Sequence, residues 1–202
     1  MPLPFIIAID GPVASGKSAV GKRLAERFGY LFFDTGLMYR ALTYLALRAG
    51  VDVADAAALA DFAQAHPIDI RPPNDSERDG RDATVTAGDD DITHSLRSRD
   101  VEDHVSPVAA VPAVRATLTS AMRRVGLRGR VVMVGRDVGT AIVPEADAKI
   151  YLTASVEARA RRRYAEVAAR GEGRTFEDIL ANLAERDRID SSRQSAPLRA
   201  AE

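Results

Sequence analysis

The sequence predicts an α/β fold built on a mainly parallel sheet that is covered by helices on both faces. Continuous apolar runs at 5–9 and 131–134 indicate buried strands. Helix-period patterns alternate with such runs along the chain, and this alternation is typical of a parallel sheet. Ligands of such sheets bind beyond the carboxyl ends of the strands, so the polar clusters that follow three strands should converge on one cleft. These clusters are 11–18, 34–36 and 135–140.

Length, composition and charge exclude several classes of protein. The 202 residues suit one compact domain, with room for a small insert. The absence of cysteine excludes disulfides, zinc-thiolate sites and cysteine nucleophiles. No apolar run approaches a membrane span, and the net charge of −1 does not favour nucleic acid. We therefore expect a cytoplasmic monomer with neither nucleic acid nor a membrane as partner.

The first polar cluster matches the phosphate-binding motif G-x-x-x-x-G-K-[ST], between a predicted strand and a predicted helix. Its glycines let the backbone approach phosphate oxygens, and the helix N-terminus adds partial positive charge. A chance match or a plain glycine turn is the alternative, which the flanking strand and helix disfavour. Lys17 is expected to reach the outer phosphates of a bound nucleotide and Ser18 to bind Mg²⁺. The residues predicted to bind the nucleotide phosphates are Gly11, Pro12, Val13, Ala14, Ser15, Gly16, Lys17, Ser18 and Ala19.

The elements up to residue 65 follow from apolar spacing and helix-stop signals. Val20, Leu24 and Phe28 recur every four residues and predict one apolar helix face. Gly50 is a plausible helix stop. We predict a helix over 17–28, a strand over 30–33, a helix over 37–49 and a short helix over 55–65.

A charged, turn-rich segment follows His66. Short alternating runs at 68–70 and 84–86 predict a small antiparallel hairpin set on the surface, outside the main sheet. Its acidic run 89–91 could suggest a metal site, but a solvated turn before a helix start at Thr93 is the preferred interpretation.

Proline, glycine and capping signals divide the second half of the chain. Residues 100–104 predict a short helix, and Ser106-Pro107 resembles an N-cap with proline at the first helical position. Pro112 opens a longer helix, which Gly126 and Gly129 end. Further elements are strands over 131–134 and 149–152, a helix capped by Ser155 and broken at 171–173, and a helix that begins with a capping box at 175–178.

A phosphate-binding loop alone fits a kinase, an ATPase or a GTPase. The sequence contains no Asn-Lys-x-Asp motif for reading guanine and no apolar strand that ends in paired acids. It offers arginines near each polar cluster instead. An acceptor that is itself a phosphate explains them, because bringing two polyanions together requires cations along both. These arginines are Arg40, Arg115, Arg136, Arg186, Arg188 and Arg193.

Four motifs together closely resemble the bacterial cytidylate kinase family, in its order and spacing. They are DTGLMYR at 34–40, the segment 106–115, GRDVGT at 135–140 and ERDRIDSSR at 185–193. The resemblance extends from about Phe5 to Leu198. It implies an ATP-dependent phosphotransferase of pyrimidine nucleotide metabolism, which transfers the γ-phosphoryl group of ATP to CMP or dCMP with Mg²⁺.

The resemblance also implies the domain organisation of a P-loop kinase, with a three-layer α/β/α core, a small antiparallel NMP-binding insert and a helical lid. The core would comprise 1–65, 106–155 and 194–202, the insert 66–105 and the lid 156–193. Family members usually continue through one more strand and a helix, which would complete the sheet and wall the adenine side. We expect these two elements to be missing from this sequence.

Residue roles are likewise implied by the resemblance. Asp137 would accept from the exocyclic amine of cytosine and Arg115 would donate to its N3 and O2, alongside Ser106. Arg186 and Asp190 would lie near the sugar hydroxyls. The positions near the acceptor phosphate are Thr35, Tyr39, Arg40, Arg136 and Arg193. The predicted catalytic residues are Lys17, Arg136, Arg186 and Arg193.

Local sequence leaves alternatives open. Asp34, Thr35 and Ser106 could simply cap helices, and Arg115 could be a surface residue. The segment 186–193 could be a solvated helix end, and the arginine-rich run 159–163 an exposed helix face. The chain could also be a P-loop kinase for another small acceptor, such as UMP, AMP or shikimate, or a nucleotide-binding switch without acceptor-dependent turnover.

Overall fold

The computed structural model describes residues 5–77, 79–169, 173–193 and 195–201. In this part of the chain the strands are β1 (Ile6–Asp10), β2 (Leu31–Asp34), β3 (Ile68–Arg71), β4 (Thr84–Ala87), β5 (Asp90–Asp91), β6 (Val131–Gly135) and β7 (Ala148–Tyr151). The helices are α1 (Lys17–Phe28), α2 (Gly36–Arg48), α3 (Ala56–Ala65), α4 (Arg99–Ala110), α5 (Pro112–Gly126), α6 (Val156–Ala169) and α7 (Phe176–Ser192). Short 3₁₀ helices span Asp75–Glu77 and Thr93–Arg97, and a π-helical turn spans Val138–Ile142.

The main sheet is parallel, with the strand order β2-β6-β1-β7. Alternate side chains of β1 point to opposite faces, as the pleat requires. Ile7 and Ile9 belong to the apolar cluster that includes residues of α1, whereas Ile6 and Ala8 belong to the larger core with residues of α2, α3 and α5. Helices therefore cover both faces, and the predicted three-layer α/β fold with a mainly parallel sheet is confirmed.

A second, antiparallel sheet has the order β3-β4-β5. Its inward side chains Ile68, Ile70 and Val85 are buried in the larger core, which also contains Ile6 and Ala8 of the main sheet. The small sheet thus packs directly on the body of the protein. The acidic run before Thr93 forms β5 and its turn, and Asp91 accepts from the Thr93 amide (3.0 Å) as a local cap.

The apolar face predicted for α1 is wrong at its first position. Val20 is 39% exposed, whereas Gly21 and Ala25 are buried. A Cβ on Gly21 would lie 2.6 Å from Cγ1 of Val134, so the helix crosses β6 too closely for a side chain. Leu24 and the end of the helix pack beside this contact. Small residues therefore define the buried stripe, which a search for large apolar residues places one position too early.

The predicted helix break at Ser106-Pro107 is also wrong. α4 is continuous, with Pro107 in its interior, and its N-cap is Ser98, whose hydroxyl accepts from the Val101 amide (3.5 Å). Proline removes one backbone hydrogen bond. Burial of Val101 and Val108 on the same helix offsets that cost. Ser106 is therefore an exposed residue inside a helix and not a cap.

The helix starts after residue 110 agree with the sequence signals. Pro112 is the first residue of α5. Thr175 and Asp178 form the predicted capping box of α7, with the Asp178 amide donating to the Thr175 hydroxyl (3.1 Å). Residues 171 and 172 of the predicted break after α6 lie outside the described residues. None of the helices in the described part of the chain combines the length and apolarity needed to cross a membrane.

Candidate active site

The phosphate-binding loop connects β1 to α1 with a backbone that needs glycine. Gly11 has a φ of +150°, and a Cβ there would lie 2.0 Å from the carbonyl oxygen of Leu152. Gly16 is the N-cap of α1, with a φ of +102°. Ala14 also has a positive φ, of +56°, which is costly for a residue with a side chain. The loop thus leads into a helix N-terminus whose free amides favour an anion.

Lys17 is held inside this loop. Its Nζ donates to the carbonyl oxygen of Pro12 (2.6 Å) and lies 3.4 Å from the hydroxyl of Ser15. Burial and, second to it, the nearby Arg136 lower the pKa of Lys17 to about 8. Asp34, Asp10 and Asp190 act in the opposite direction. The ammonium is therefore poorly neutralised, and a bound phosphate would stabilise its charged form.

Asp10 is a site residue that the sequence reasoning missed. It is the last residue of β1 and is only 3% exposed. Its two carboxylate oxygens accept from the amides of Val138 (2.8 Å) and Gly139 (2.7 Å). Asp10 thus joins the base of the phosphate-binding loop to the cluster at 135–140. A polar residue at the end of an otherwise apolar strand was the available signal.

We expect Asp10→Asn to lower the free energy of unfolding by about 2 kcal/mol, because one amide would face an NH₂ group in place of an acceptor. Asp147→Asn is the matched control. A single oxygen of Asp147 accepts from the amides of both Phe5 (3.1 Å) and Ile6 (2.8 Å), so asparagine can keep both bonds. Urea unfolding of the two variants measures the difference. Equal destabilisation would contradict the assignment of two separate acceptors.

Arg115 and Asp137 form a buried ion pair at the carboxyl end of the sheet. Nη2 of Arg115 lies 2.6 Å from Oδ2 of Asp137, and the two residues are only 5% and 6% exposed. Burial raises the pKa of Asp137, while Arg115 and two other arginines act to lower it. The guanidinium carbon of Arg115 lies 5.6 Å from the ring centroid of Tyr39. The alternative that Arg115 is a surface residue is therefore wrong.

Three further arginines belong to the predicted site, and two of them, Arg136 and Arg193, share the carboxylate of Asp190. Nε of Arg136 donates to the Asp190 carboxylate, and Nη1 of Arg193 lies 3.7 Å from its other oxygen. Burial lowers the pKa of Arg186, and Arg136 lowers it further. Burial and then Arg115 lower the pKa of Arg193. Like charges held together in this way favour an anionic ligand.

Several buried polar atoms in this region have no hydrogen-bond partner among the described residues. A buried polar atom without a partner costs free energy unless a ligand or water satisfies it. One such atom is Oγ1 of Thr140, in the cluster at 135–140. The others belong to residues predicted to bind substrate. They are Oη of Tyr39, Nε of Arg115 and Nη2 of Arg193.

Other predicted site residues lie apart from this group or are already engaged. The Thr35 hydroxyl donates to the Val134 carbonyl (3.0 Å) and does not cap α2. Arg40 lies 3.7 Å from the carboxylate of Glu102. Ser106 is exposed on α4. Ser18 and Ala19 are likewise exposed, on the first turn of α1.

The donor set suits Mg²⁺ only in combination with a phosphate ligand. No cluster of three or more acidic, histidine or cysteine side chains is arranged for a metal within the described ranges. Mg²⁺ in kinases is usually held by one or two protein oxygens together with substrate phosphates. Ser18, at the start of α1, and Asp34, whose carboxylate accepts from the Gly36 amide (3.0 Å), offer such oxygens.

Comparison with known proteins identifies the family of this chain. The family model for cytidylate kinase matches residues 7–202. A cytidylate kinase of Herpetosiphon aurantiacus is 53% identical over 192 residues, which cover 95% of this chain and 83% of that protein. One from Chloroflexus aggregans is 51% identical over 95% of this chain and 82% of its own length. One from Streptococcus pneumoniae is 44% identical over 97% of this chain and 86% of its own length. The chain therefore belongs to the cytidylate kinase family.

Proposed function

We propose that the protein transfers the γ-phosphoryl group of ATP to CMP or dCMP, giving CDP or dCDP. The observation that carries the proposal is the buried Arg115–Asp137 pair, which lies within a group of arginines with unpaired polar atoms. This group is close enough to the phosphate-binding loop for Arg136 to lower the pKa of Lys17. Family membership supports the choice of cytidine nucleotides as acceptors.

On the donor side, residues 11–19 surround the ATP phosphates. The left-handed backbone at Gly11, Ala14 and Gly16 allows successive amides to point toward an anion. Lys17 would exchange its bond to Pro12 for contacts to the outer phosphates. Ser18 and Asp34 would hold Mg²⁺, which when bound neutralises charge on the phosphates.

On the acceptor side, Asp137 and Arg115 would recognise the cytosine edge. Cytosine presents an amine donor at N4, where uracil presents a carbonyl acceptor. The Asp137 carboxylate, which is paired with Arg115, would accept from the amine and would face an acceptor in uracil. A site built to hydrogen-bond a polar group discriminates strongly against an analogue that lacks it. Ser106 is a further proposed contact to the base, whereas Tyr39 is proposed to lie near the acceptor phosphate.

Chemistry in this site needs no protein nucleophile. An oxygen of the acceptor phosphate attacks the γ-phosphorus directly, and the protein supplies positioning and positive charge. Arg136, Arg186 and Arg193 would stabilise the charge spread over the transferred group. Thr35 and Arg40 would contribute around the acceptor phosphate, and Asp190 would orient both Arg136 and a sugar hydroxyl.

The proposed domains follow from the division of the site into a donor side and an acceptor side. Residues 66–105 would form the insert that closes over the acceptor, and 156–193 the lid that excludes water from the phosphates. The core would comprise 1–65, 106–155 and 194–202. We propose that the protein acts as a monomer.

An acceptor screen tests the proposed function. ADP formation from ATP and Mg²⁺ should require a nucleoside monophosphate and should be fastest with CMP or dCMP. UMP, AMP and shikimate are the competing acceptors. Equal or faster turnover with UMP would refute the cytosine assignment, and nucleotide binding without turnover on any acceptor would favour a switch.

The pKa of Lys17 predicts a pH dependence of ATP affinity. Its pKa is lowered to about 8 in the free protein, and bound phosphates should raise it. Affinity should therefore be highest below pH 8 and should fall above it, by at most about tenfold per pH unit, because binding then requires proton uptake. Calorimetry near pH 8.5 in buffers of different ionisation enthalpy should detect this uptake. Its absence would contradict the assignment.

A further inference from the structure

Arg159 is an unexpected buried charge in the arginine-rich run that the sequence suggests is an exposed helix face. It lies on α6 and is 3% exposed. Its Nη1 donates to the carbonyl oxygen of Val13 in the phosphate-binding loop (3.1 Å) and to Oδ1 of Asp187 on α7 (3.0 Å). Its Nη2 donates to the other Asp187 oxygen, and its Nε donates to the Ala154 carbonyl (3.0 Å). One guanidinium thus joins the loop to both helices.

The contact with Val13 bears on the direction of a loop amide. In a trans peptide the C=O and N–H bonds point in opposite directions. Holding the Val13 carbonyl on the side of α6 therefore directs the amide of Ala14 away from α6. Arg162 donates to the next carbonyl, that of Ala14 (2.8 Å). Both peptides that flank the strained φ of Ala14 are thus held from the same helix.

Asp187 explains why the guanidinium can stay buried. A buried charge is tolerated when it is paired and its hydrogen bonds are satisfied. The two-pronged contact also fixes the plane of the guanidinium, which a lysine could not reproduce. The Asp187 side chain is 25% exposed, so the pair keeps some contact with solvent where it joins the two helices and the loop.

We propose that the Arg159–Asp187 pair is a positioning device that holds the phosphate-binding loop in the conformation that binds the ATP phosphates. The proposal rests on the proposed function and assigns Arg159 no contact with substrate. Its effect passes through the Val13–Ala14 peptide. Loss of the pair should therefore weaken the ATP side of the reaction and leave the CMP side unchanged.

The test compares Arg159→Ala with Arg161→Ala, which removes the same charge from an exposed position on the same helix. Loss of one hydrogen bond to a charged group predicts about a tenfold rise in the KM for ATP and in the Kd for ATP measured by calorimetry without CMP. The KM for CMP should stay within twofold of the wild-type value. Arg161→Ala should change none of these constants.

Two further variants keep the test decisive if Arg159→Ala does not fold. Arg159→Lys keeps the charge but cannot contact both Asp187 oxygens and Val13, so the Kd for ATP should rise by an intermediate factor. Asp187→Asn should also weaken ATP binding, and its effect should not add to that of Arg159→Lys. The proposal is overturned if these variants lower only the thermal midpoint, or if the KM values for ATP and CMP rise together.

Binding and turnover separate this proposal from the proposed function. Wild-type protein that binds ATP but forms no ADP with any acceptor would refute the kinase assignment. The predicted order of ATP affinities among the variants would still support the positioning role. An active wild-type enzyme whose Arg159 variants bind ATP as tightly as Arg161→Ala would refute the positioning role alone.

Discussion

Lys17→Met should lower kcat/KM for CMP phosphorylation by roughly 10³-fold, the largest effect expected from one substitution in this protein. Lys17 is the cation inside the phosphate-binding loop, where its Nζ bonds only neutral oxygens, those of Pro12 and Ser15, in the described structure. Methionine keeps the length of the side chain but removes the charge that phosphates would neutralise. Steady-state ADP formation measures the loss.

The matched control is Lys22→Met on the same helix. Lys22 lies 2.5 Å from the carboxylate of Asp82, but its side chain is 46% exposed, and exposed ion pairs contribute little to stability. This variant should retain kcat/KM within twofold. Comparable losses in both variants would mean that charge on α1 matters in general, and would contradict a specific role for Lys17. Lys17→Met should also abolish the proton uptake expected near pH 8.5.

Asp137→Asn should lower the preference for CMP over UMP, as a ratio of kcat/KM values, by about 10²-fold. Asparagine offers one acceptor and one donor in place of two acceptors, so the site no longer opposes the uracil carbonyl. Its loss of charge also leaves Arg115 buried without a counter-ion. Breaking a buried pair costs about 3–5 kcal/mol of unfolding free energy, so assays belong well below the thermal midpoint.

Glu145→Gln provides the control for this change. Glu145 is an exposed carboxylate paired with Arg123, in the segment between the π-helical turn and β7. This substitution should leave both the ratio of kcat/KM values for CMP and UMP and the free energy of unfolding nearly unchanged. An unaltered ratio in Asp137→Asn would remove Asp137 from base recognition. A fall in turnover that is equal for CMP and UMP would assign it to positioning of the acceptor as a whole.

Local pattern was sufficient for much of the fold. The helix over 17–28 and the start of α5 at Pro112 agree with the structure. The strands predicted at 30–33 and 149–152 are each displaced by one residue. Strand ends depend on which neighbour they pair with, and this information is absent from a local window.

The errors share one cause. The recurrence of large apolar residues places Val20 on the buried face of α1. In the structure that face contains Gly21 instead, because α1 lies too close to β6 for a side chain. A helix break was assigned to Pro107 because proline usually prevents helix, whereas buried valines on both sides sustain it. In each case packing against a distant segment outweighed the local preference.

The sequence by itself determined the chemistry available to this protein: a phosphate-binding loop, arginines placed after successive strands, and the order of elements that brings them to one edge. Only the tertiary structure decided which charges are buried and paired. Asp10 binds amides more than a hundred positions away, and Arg159 joins the loop to α7. Burial and pairing set the pKa of Lys17 and orient Asp137. These properties depend on distances through space, which sequence spacing does not specify.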